Sequence, residues 1–328
     1  MKNPINPLRR RMFIVLPLIA VLTGLSGCMK PQVQTLKYMN DTAPSDYMEK
    51  QKAMGLNTGG DLDIGEEQDW AYYSAEGKKW ADQGKDQAAI SSYQKSLALN
   101  PDHAPTHTHL GAIYLKNGNT SQAITHLEAA LNLEPEDPIA HENVGLAYLR
   151  NHEDDKAEEA FLKTLSLDPK APKSYNGLGI VHDNRGNHLL AEGYYSQALR
   201  LEPDNFRFLN NQGFSHLLGK KIDLAITFFK EAIRRNPGFS QALNNLGLAY
   251  GLQGKYTKAV EAFKTATSEA GAYNNLGYLY HKKGKRTQAI ASFQKAVKTS
   301  PIWYTKAANN LDSLTTVPAK VPNPVITP

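Results

Sequence analysis

From residue 70 onward, small and bulky side chains recur along the chain with one long period. Glycine stands at 77, 111, 145, 179, 213 and 247, each 34 residues from the last, and again at 277 after 30. Alanine follows the same beat at 89, 123, 157, 191, 225, 259 and 289, and proline at 101, 135, 169, 203, 237 and 301. Between them lie Tyr93, Leu127, Phe161, Tyr195, Phe229, Phe263 and Phe293. Apolar positions three and four apart within each period predict two amphipathic helices per unit. The proline ends the second helix, since it lacks an N–H and clashes with the preceding turn. A single helix pair cannot bury its apolar face, but stacked pairs can. The predicted units are 70–103, 104–137, 138–171, 172–205, 206–239, 240–269 and 270–303.

The small residues at unit positions 8 and 20 are expected to face each other where the helices cross, with the bulky residue at position 24 filling the gap to the next unit. Departures from the pattern carry their own expectations. Glu76 takes an apolar position in the first unit, which predicts a solvated outer face. His152 replaces glycine in the turn of unit 3. Unit 6 is four residues short, which predicts a shorter second helix or a tighter turn. Residues 302–314 are amphipathic, and Ile302, Tyr304 and Leu311 are placed to cover the last seam as a capping helix. Residues 315–328 hold four prolines and read as a disordered tail.

A 34-residue period with these residue types resembles the tetratricopeptide repeat, TPR. The resemblance covers residues 70–303 and rests on seven units in register. It implies an all-α fold: a right-handed TPR superhelix, an α-solenoid of about seven helix-turn-helix units plus a C-terminal capping helix. Its concave groove would be lined by the first helix of each unit.

The region before the repeats reads as an address and a tether. Residues 1–11 carry four positive charges, and residues 12–25 form an apolar run. That run is too short to span a hydrocarbon layer of about 30 Å and fits a signal-peptide core. Leu25-Ser26-Gly27-Cys28 then resembles a bacterial lipobox. The resemblance implies removal of residues 1–27 and lipidation of Cys28, with Met29 matching the outer-membrane default, facing the periplasm. An ordinary signal peptide is the alternative. Residues 28–69 follow as a polar, aperiodic tether whose span would be roughly 30–40 Å as a flexible chain.

Composition changes this picture little. The formal charge of +5 falls to about neutral once residues 1–27 are set aside, leaving 33 basic and 32 acidic residues. That gives no support for a nucleic-acid partner. One cysteine excludes an internal disulfide framework. His103, His107, His109 and His141 cluster, but His107 and His141 take packing positions, so no metal site is assigned. No phosphate-binding glycine loop or zincin spacing occurs, and repeats, tether and caps use the whole chain. The expectation is a binding protein without cofactor or catalytic residues.

In peptide-binding TPRs the groove is lined from unit positions 2, 5, 6, 9, 12 and 13. Carried onto this chain, that implies Asn143, Asn176, Asn210, Asn211, Asn244, Asn245, Asn274 and Asn275, with Phe214 and Tyr278 as apolar contacts and Lys173, Arg207 and Lys282, with Lys283 nearby, as anion contacts. The asparagines resemble the ladder in the TPR superhelix of O-linked N-acetylglucosamine transferases. Amides can bond an extended peptide backbone without reading its side chains. The same amides can instead pin neighbouring helices. Charge is uneven: residues 28–171 carry 13 basic and 23 acidic side chains, while residues 172–328 carry 20 and 9. An acidic partner would therefore favour the C-terminal half. The short sixth unit running into Ala272-Tyr273-Asn274-Asn275-Leu276-Gly277, with the Pro301-to-Leu311 cap, resembles TadD-type proteins of tight-adherence (Flp) pilus assembly. The expected role is a membrane-anchored scaffold holding protein or peptide segments. Type IV pilus pilotins and adaptors of peptidoglycan hydrolases or periplasmic proteases share the plan.

Overall fold

The computed structural model describes residues 69–300 and 305–315. The signal segment, Cys28, the tether, Ile302, Tyr304 and the proline-rich tail lie outside them. Fifteen helices and no strand occur among the described residues. They form seven pairs: α1 (Trp70–Asp82) with α2 (Asp86–Leu99), α3 (Ala104–Lys116) with α4 (Thr120–Leu133), α5 (Pro138–Arg150) with α6 (Asp154–Leu167), α7 (Pro172–Asn184) with α8 (His188–Leu201), α9 (Phe206–Leu218) with α10 (Ile222–Arg235), α11 (Ser240–Leu252) with α12 (Tyr256–Ala266), and α13 (Glu269–Lys282) with α14 (Arg286–Thr299). A lone helix, α15 (Thr305–Thr315), closes the stack.

Local chemistry sets the helix ends. Asp69, Asp137, Asn205 and Ser268 sit at N-caps, and each side chain accepts from a backbone N–H of the first turn. Prolines 105, 138 and 172 occupy the first turn of their helices, where a missing N–H is harmless. Turns between paired helices need one residue in the left-handed region. Glycine supplies it at 84, 118, 186, 254 and 284, whereas His152 and Lys220 adopt it at φ 61° and 62°. The second exception, beside Gly219, escapes a reading of glycine spacing.

The core is a column of rings. Tyr93, Phe161, Tyr195, Phe229 and Phe293, with Leu127, are essentially sealed from solvent, and every alanine at position 20 is fully buried. Each position-8 glycine lies against the bulky position-24 residue of its own unit, and at Gly111 the Ala123 carbonyl oxygen is close as well. A Cβ added at Gly77 would come within 2.6 Å of the Tyr93 ring, and one at Gly213 within 2.8 Å of Phe229. The ring uses the space a methyl group would fill, because the helices of one unit cross closest there. Phe161 also lies against Gly177 of the next unit, so one ring seals both the crossing and the seam.

Two expectations change. Glu76 is half-buried and accepts a 2.7 Å hydrogen bond from Ser92 on α2, a partner that makes its partial burial tolerable. The terminal seam is covered by Ala307 and Ala308 of α15, small enough for close approach, with Leu311 only partly buried. Unit 6 has the shorter second helix: α12 has 11 residues where the other six second helices have 14. Thr267 ends it, and the Lys264–Glu269 pair at 2.6 Å ties it to α13.

Each first helix packs on its own partner, on the preceding second helix and on the first helices of adjacent units. Second helices do not pack on one another comparably. The first helices therefore crowd on an inner, concave wall and the second helices spread over the convex one.

Candidate peptide-binding groove

The predicted groove residues lie on that inner wall, carried by α5, α7, α9, α11 and α13. The structure brings the asparagines together as a ladder running from repeat to repeat. Asn211 donates to Asn176 Oδ1 at 2.9 Å, and Asn245 to Asn210 Oδ1 at 2.9 Å. Asn275 donates to Asn244 at 3.3 Å, and Asn310 of the capping helix to Asn274 at 2.9 Å. Asn210 donates sideways to Asn211 at 3.3 Å. In each cross-repeat bond between units, position 6 of one unit reaches position 5 of the unit before.

The ladder is largely buried. Asn210, Asn245 and Asn274 are 5% exposed or less, and Asn176 and Asn275 are also buried. Asn143, Asn211 and Asn244 are half-buried. An amide carries two donor hydrogens and two acceptor lone pairs. The ladder uses only part of that capacity at its half-buried members Asn211 and Asn244. Asn143 stands outside the ladder. In units 1–4 the bonds at the repeat boundaries are made by other groups: Ser74 with Thr106 at 2.9 Å, Thr108 to Asp137, the N-cap of α5, at 3.1 Å, and Ser174 to Glu142 at 3.1 Å.

The remaining predicted residues are less drawn in. Phe214 and Tyr278 are half-buried, Lys173 and Arg207 exposed. The Lys173 ammonium lies 3.5 Å from Glu142, and the Arg207 guanidinium sits 4.8 Å above the Phe206 ring. Both cations are thus steered by neighbours on the same wall.

One cluster was invisible in the sequence. Asp183, a position-12 residue at the end of α7, is buried and bonded to His188 Nδ1 at 2.8 Å, Ser215 Oγ at 2.9 Å and Tyr195 Oη at 3.1 Å. Burial raises its pKa above the ordinary value against those three hydrogen bonds, and lifts that of Tyr195 well above its own. The cluster ties unit 4 to unit 5. An acid among Leu115, Leu149 and Leu217 at the same unit position was the available signal.

The histidines serve packing. His107 Nε2 bonds the Pro101 carbonyl and His141 Nε2 the Pro135 carbonyl, both at 2.9 Å, so each secures the end of the preceding second helix. His107 and His126 also face each other, Nδ1 to Nδ1, at 3.1 Å. Burial, with His107 nearby, pushes His126 down to about 3. Among the described residues no group of three or more His, Cys, Asp or Glu is arranged to hold a metal.

Comparison with known proteins agrees with this architecture. The family described as the cilia and flagella-associated protein 70 C-terminal domain matches residues 30–275, and a tetratricopeptide repeat family matches residues 270–302. No curated protein matches the chain. A tetratricopeptide repeat protein from Parabacteroides merdae ATCC 43184 superposes with a TM-score of 0.57 at 18% identity, over 75% of this chain and 99% of its own. The APC/C hetero-tetramer Cut9–Hcn1 gives 0.59 at 19% identity, over 82% and 53%. PilW, a type IV pilus biogenesis factor, gives 0.54 at 21% identity, over 65% and 98%.

Proposed function

The chain belongs to the tetratricopeptide family described as the cilia and flagella-associated protein 70 C-terminal domain, and on that premise we propose that it is a non-catalytic scaffold which holds protein segments in its concave groove while a lipid on Cys28 fixes it to the periplasmic face of an outer membrane. The observation that carries the groove is the packing of first helices on first helices. It gathers the half-buried Asn143, Asn211 and Asn244, with half-buried Phe214 and Tyr278, on the helices of one wall. Spare amide capacity offers backbone hydrogen bonds of about 0.5–1.5 kcal/mol each, and the two rings add apolar contact. The lipobox-like Leu25-Ser26-Gly27-Cys28 supports the anchor. Confinement to a surface raises the effective concentration of a tethered site, so modest intrinsic affinity suffices. Service in pilus or secretion-system assembly rests on the TadD-like features of units 6 and 7, in a fold that PilW shares.

Two measurements test this reading. Cys28→Ser should abolish labelled palmitate incorporation and move the protein to the soluble fraction; unchanged labelling would overturn the anchor. Crosslinking pulldown with Asn143→Ala/Tyr278→Ala should lose the segments captured by the native chain, with the thermal melt little changed. Equal capture by that variant would remove the groove from the proposal. Recovery of secretin or prepilin segments supports the pilus role, and recovery of peptidoglycan hydrolases or proteases places the scaffold with wall enzymes instead.

A further inference from the structure

Away from the groove, the edge formed by the turns between paired helices changes character along the stack. At several earlier junctions a base or amide at or just after the end of a first helix meets an acid near the start of the preceding second helix, while between units 2 and 3 Arg150 bonds the Leu115 carbonyl instead. Lys116 pairs with Asp86 at 2.6 Å, Asn184 with Asp154 at 3.0 Å, and Arg185 with Asp155 at 2.6 Å and with Glu158. Lys221 pairs with Glu192 at 2.7 Å, and Gln253 with Asp223 at 2.6 Å. At units 6 and 7 the acids are gone. The start of α12 offers Tyr256 and Thr257, and the start of α14 offers Arg286 and Thr287.

The bases remain and multiply. Lys255, Lys258, Lys282, Lys283 and Lys285 crowd the two turns, all exposed, and no carboxylate lies within ion-pair distance of any of them among the described residues. Tyrosine rings hold them instead. Lys283 and Lys285 lie 5.7 and 5.1 Å from the Tyr256 ring centre, Lys258 lies 5.8 Å from Tyr250, and Lys282 lies 5.3 Å from Tyr278. Tyr256 in turn packs on Tyr280 at 4.5 Å. The only two acids in units 6 and 7 are Glu261, farther along α12, and Glu269, paired with Lys264 at the opposite edge. A ring face attracts an ammonium but leaves its charge uncompensated. The lysines are pre-positioned and mutually repelling.

We infer that this lysine ridge, Lys255, Lys258 and Lys285 around Tyr256, is a second binding surface, outside the groove, for an extended acidic protein segment. The chemistry favours carboxylates. The ridge offers ammonium points, and its one guanidinium, Arg286, is engaged with the Leu314 carbonyl, so the bidentate fork that suits phosphate is absent from its face. The tyrosine faces are already taken by lysines and by each other, which leaves no platform for stacking bases. Successive turns are about 10 Å apart, the spacing of neighbouring packed helices. An extended segment with an acid at every third residue covers about 10 Å per step and places one carboxylate per turn.

The test uses the full chain without lipid, a fluorescein-labelled twelve-residue glutamate peptide, phosphatidylglycerol vesicles and a thymidine oligonucleotide, at low and at physiological salt. The ridge variant K255Q/K258Q/K285Q spares Lys282, which stands at a groove position over Tyr278, and Lys283, because that ammonium bonds the Gly251 and Leu252 carbonyls at 2.8 and 2.9 Å and so supports the fold. The groove variant is K173Q/R207Q. The peptide should bind the native chain in a salt-dependent manner. The ridge variant should weaken binding at least tenfold with an unchanged melt, and the groove variant less than twofold. Peptide binding that survives the ridge variant, that is lost in the groove variant, or that is absent while vesicles or oligonucleotide bind would overturn the inference.

Discussion

The two ends of the solenoid solve the same stitching problem with different chemistry. In the first units, repeats are joined by hydroxyls, a carboxylate and a histidine: Ser74 with Thr106, His107 with Pro101, and Thr108 with Asp137 at the N-cap of α5. In the last units, they are joined by amides, from Asn176 to Asn211, Asn210 to Asn245, Asn244 to Asn275 and Asn274 to Asn310. The backbone arrangement is common to both. An amide ladder carries no net charge and does not titrate, whereas the first set contains groups whose charge changes between pH 3 and 7. The histidines whose pKa burial lowers are thus concentrated around unit 2, with His216 of unit 5 the one beyond it among the described residues.

The largest effect that separates the two ends is acidification. Burial lowers the pKa of His103, His107, His109 and His126, the last to about 3, and all four belong to or border unit 2. A base whose folded pKa lies below its unfolded value contributes its full stability above about 6.5 and loses it as pH falls toward the folded value. For His126 alone the loss at pH 4 is on the order of 3 kcal/mol. Asp183 runs the other way: its raised pKa means that protonation on acidification recovers stability at the junction of units 4 and 5. Hydrogen exchange between pH 7 and pH 4 should therefore lose protection in α3 and α4 before α11 to α13. Uniform loss would erase the contrast.

The next effect is mutational. Asn210→Ala removes the acceptor of the buried Asn245 amide and should cost about 2 kcal/mol in urea unfolding. Thr108→Ala releases a carboxylate that still reaches solvent and should cost less than about 1 kcal/mol. Equal losses would show that the two stitches are equivalent. A smaller, stabilising change is expected at the strained turn of unit 3. His152→Gly relieves a left-handed residue and should raise stability by about 1 kcal/mol, read as a shift of the urea midpoint. The smallest is Lys116→Ala at an exposed edge pair, with an expected cost within about 0.5 kcal/mol in the same experiment.

Much of the fold was legible because stacking repeats its demands every 34 residues. The glycines, alanines and rings mark each crossing, and the missing residues of unit 6 appear as the shortened α12. The capping helix was legible from amphipathic spacing, although α15 spans Thr305–Thr315 and buries alanines rather than its larger side chains. The asparagines were legible as a ladder, but not their bonding. Asn245 finds Asn210 across 35 residues, and only the offset between stacked helices decides whether position 6 meets position 5 or turns to the groove. The Asp183 cluster and the lysine ridge were hidden for the same reason.

The order of small, bulky and helix-ending residues by itself determined that this chain forms stacked helix pairs, how many there are and where they end, because those properties depend on short-range periodicity and on volume. Tertiary structure alone decided which amides bond to one another, which acid becomes buried and which lysines stand without a carboxylate. Those outcomes depend on rotation and offset between neighbouring repeats, and a displacement of a few ångströms, which leaves the period untouched, makes or breaks a hydrogen bond.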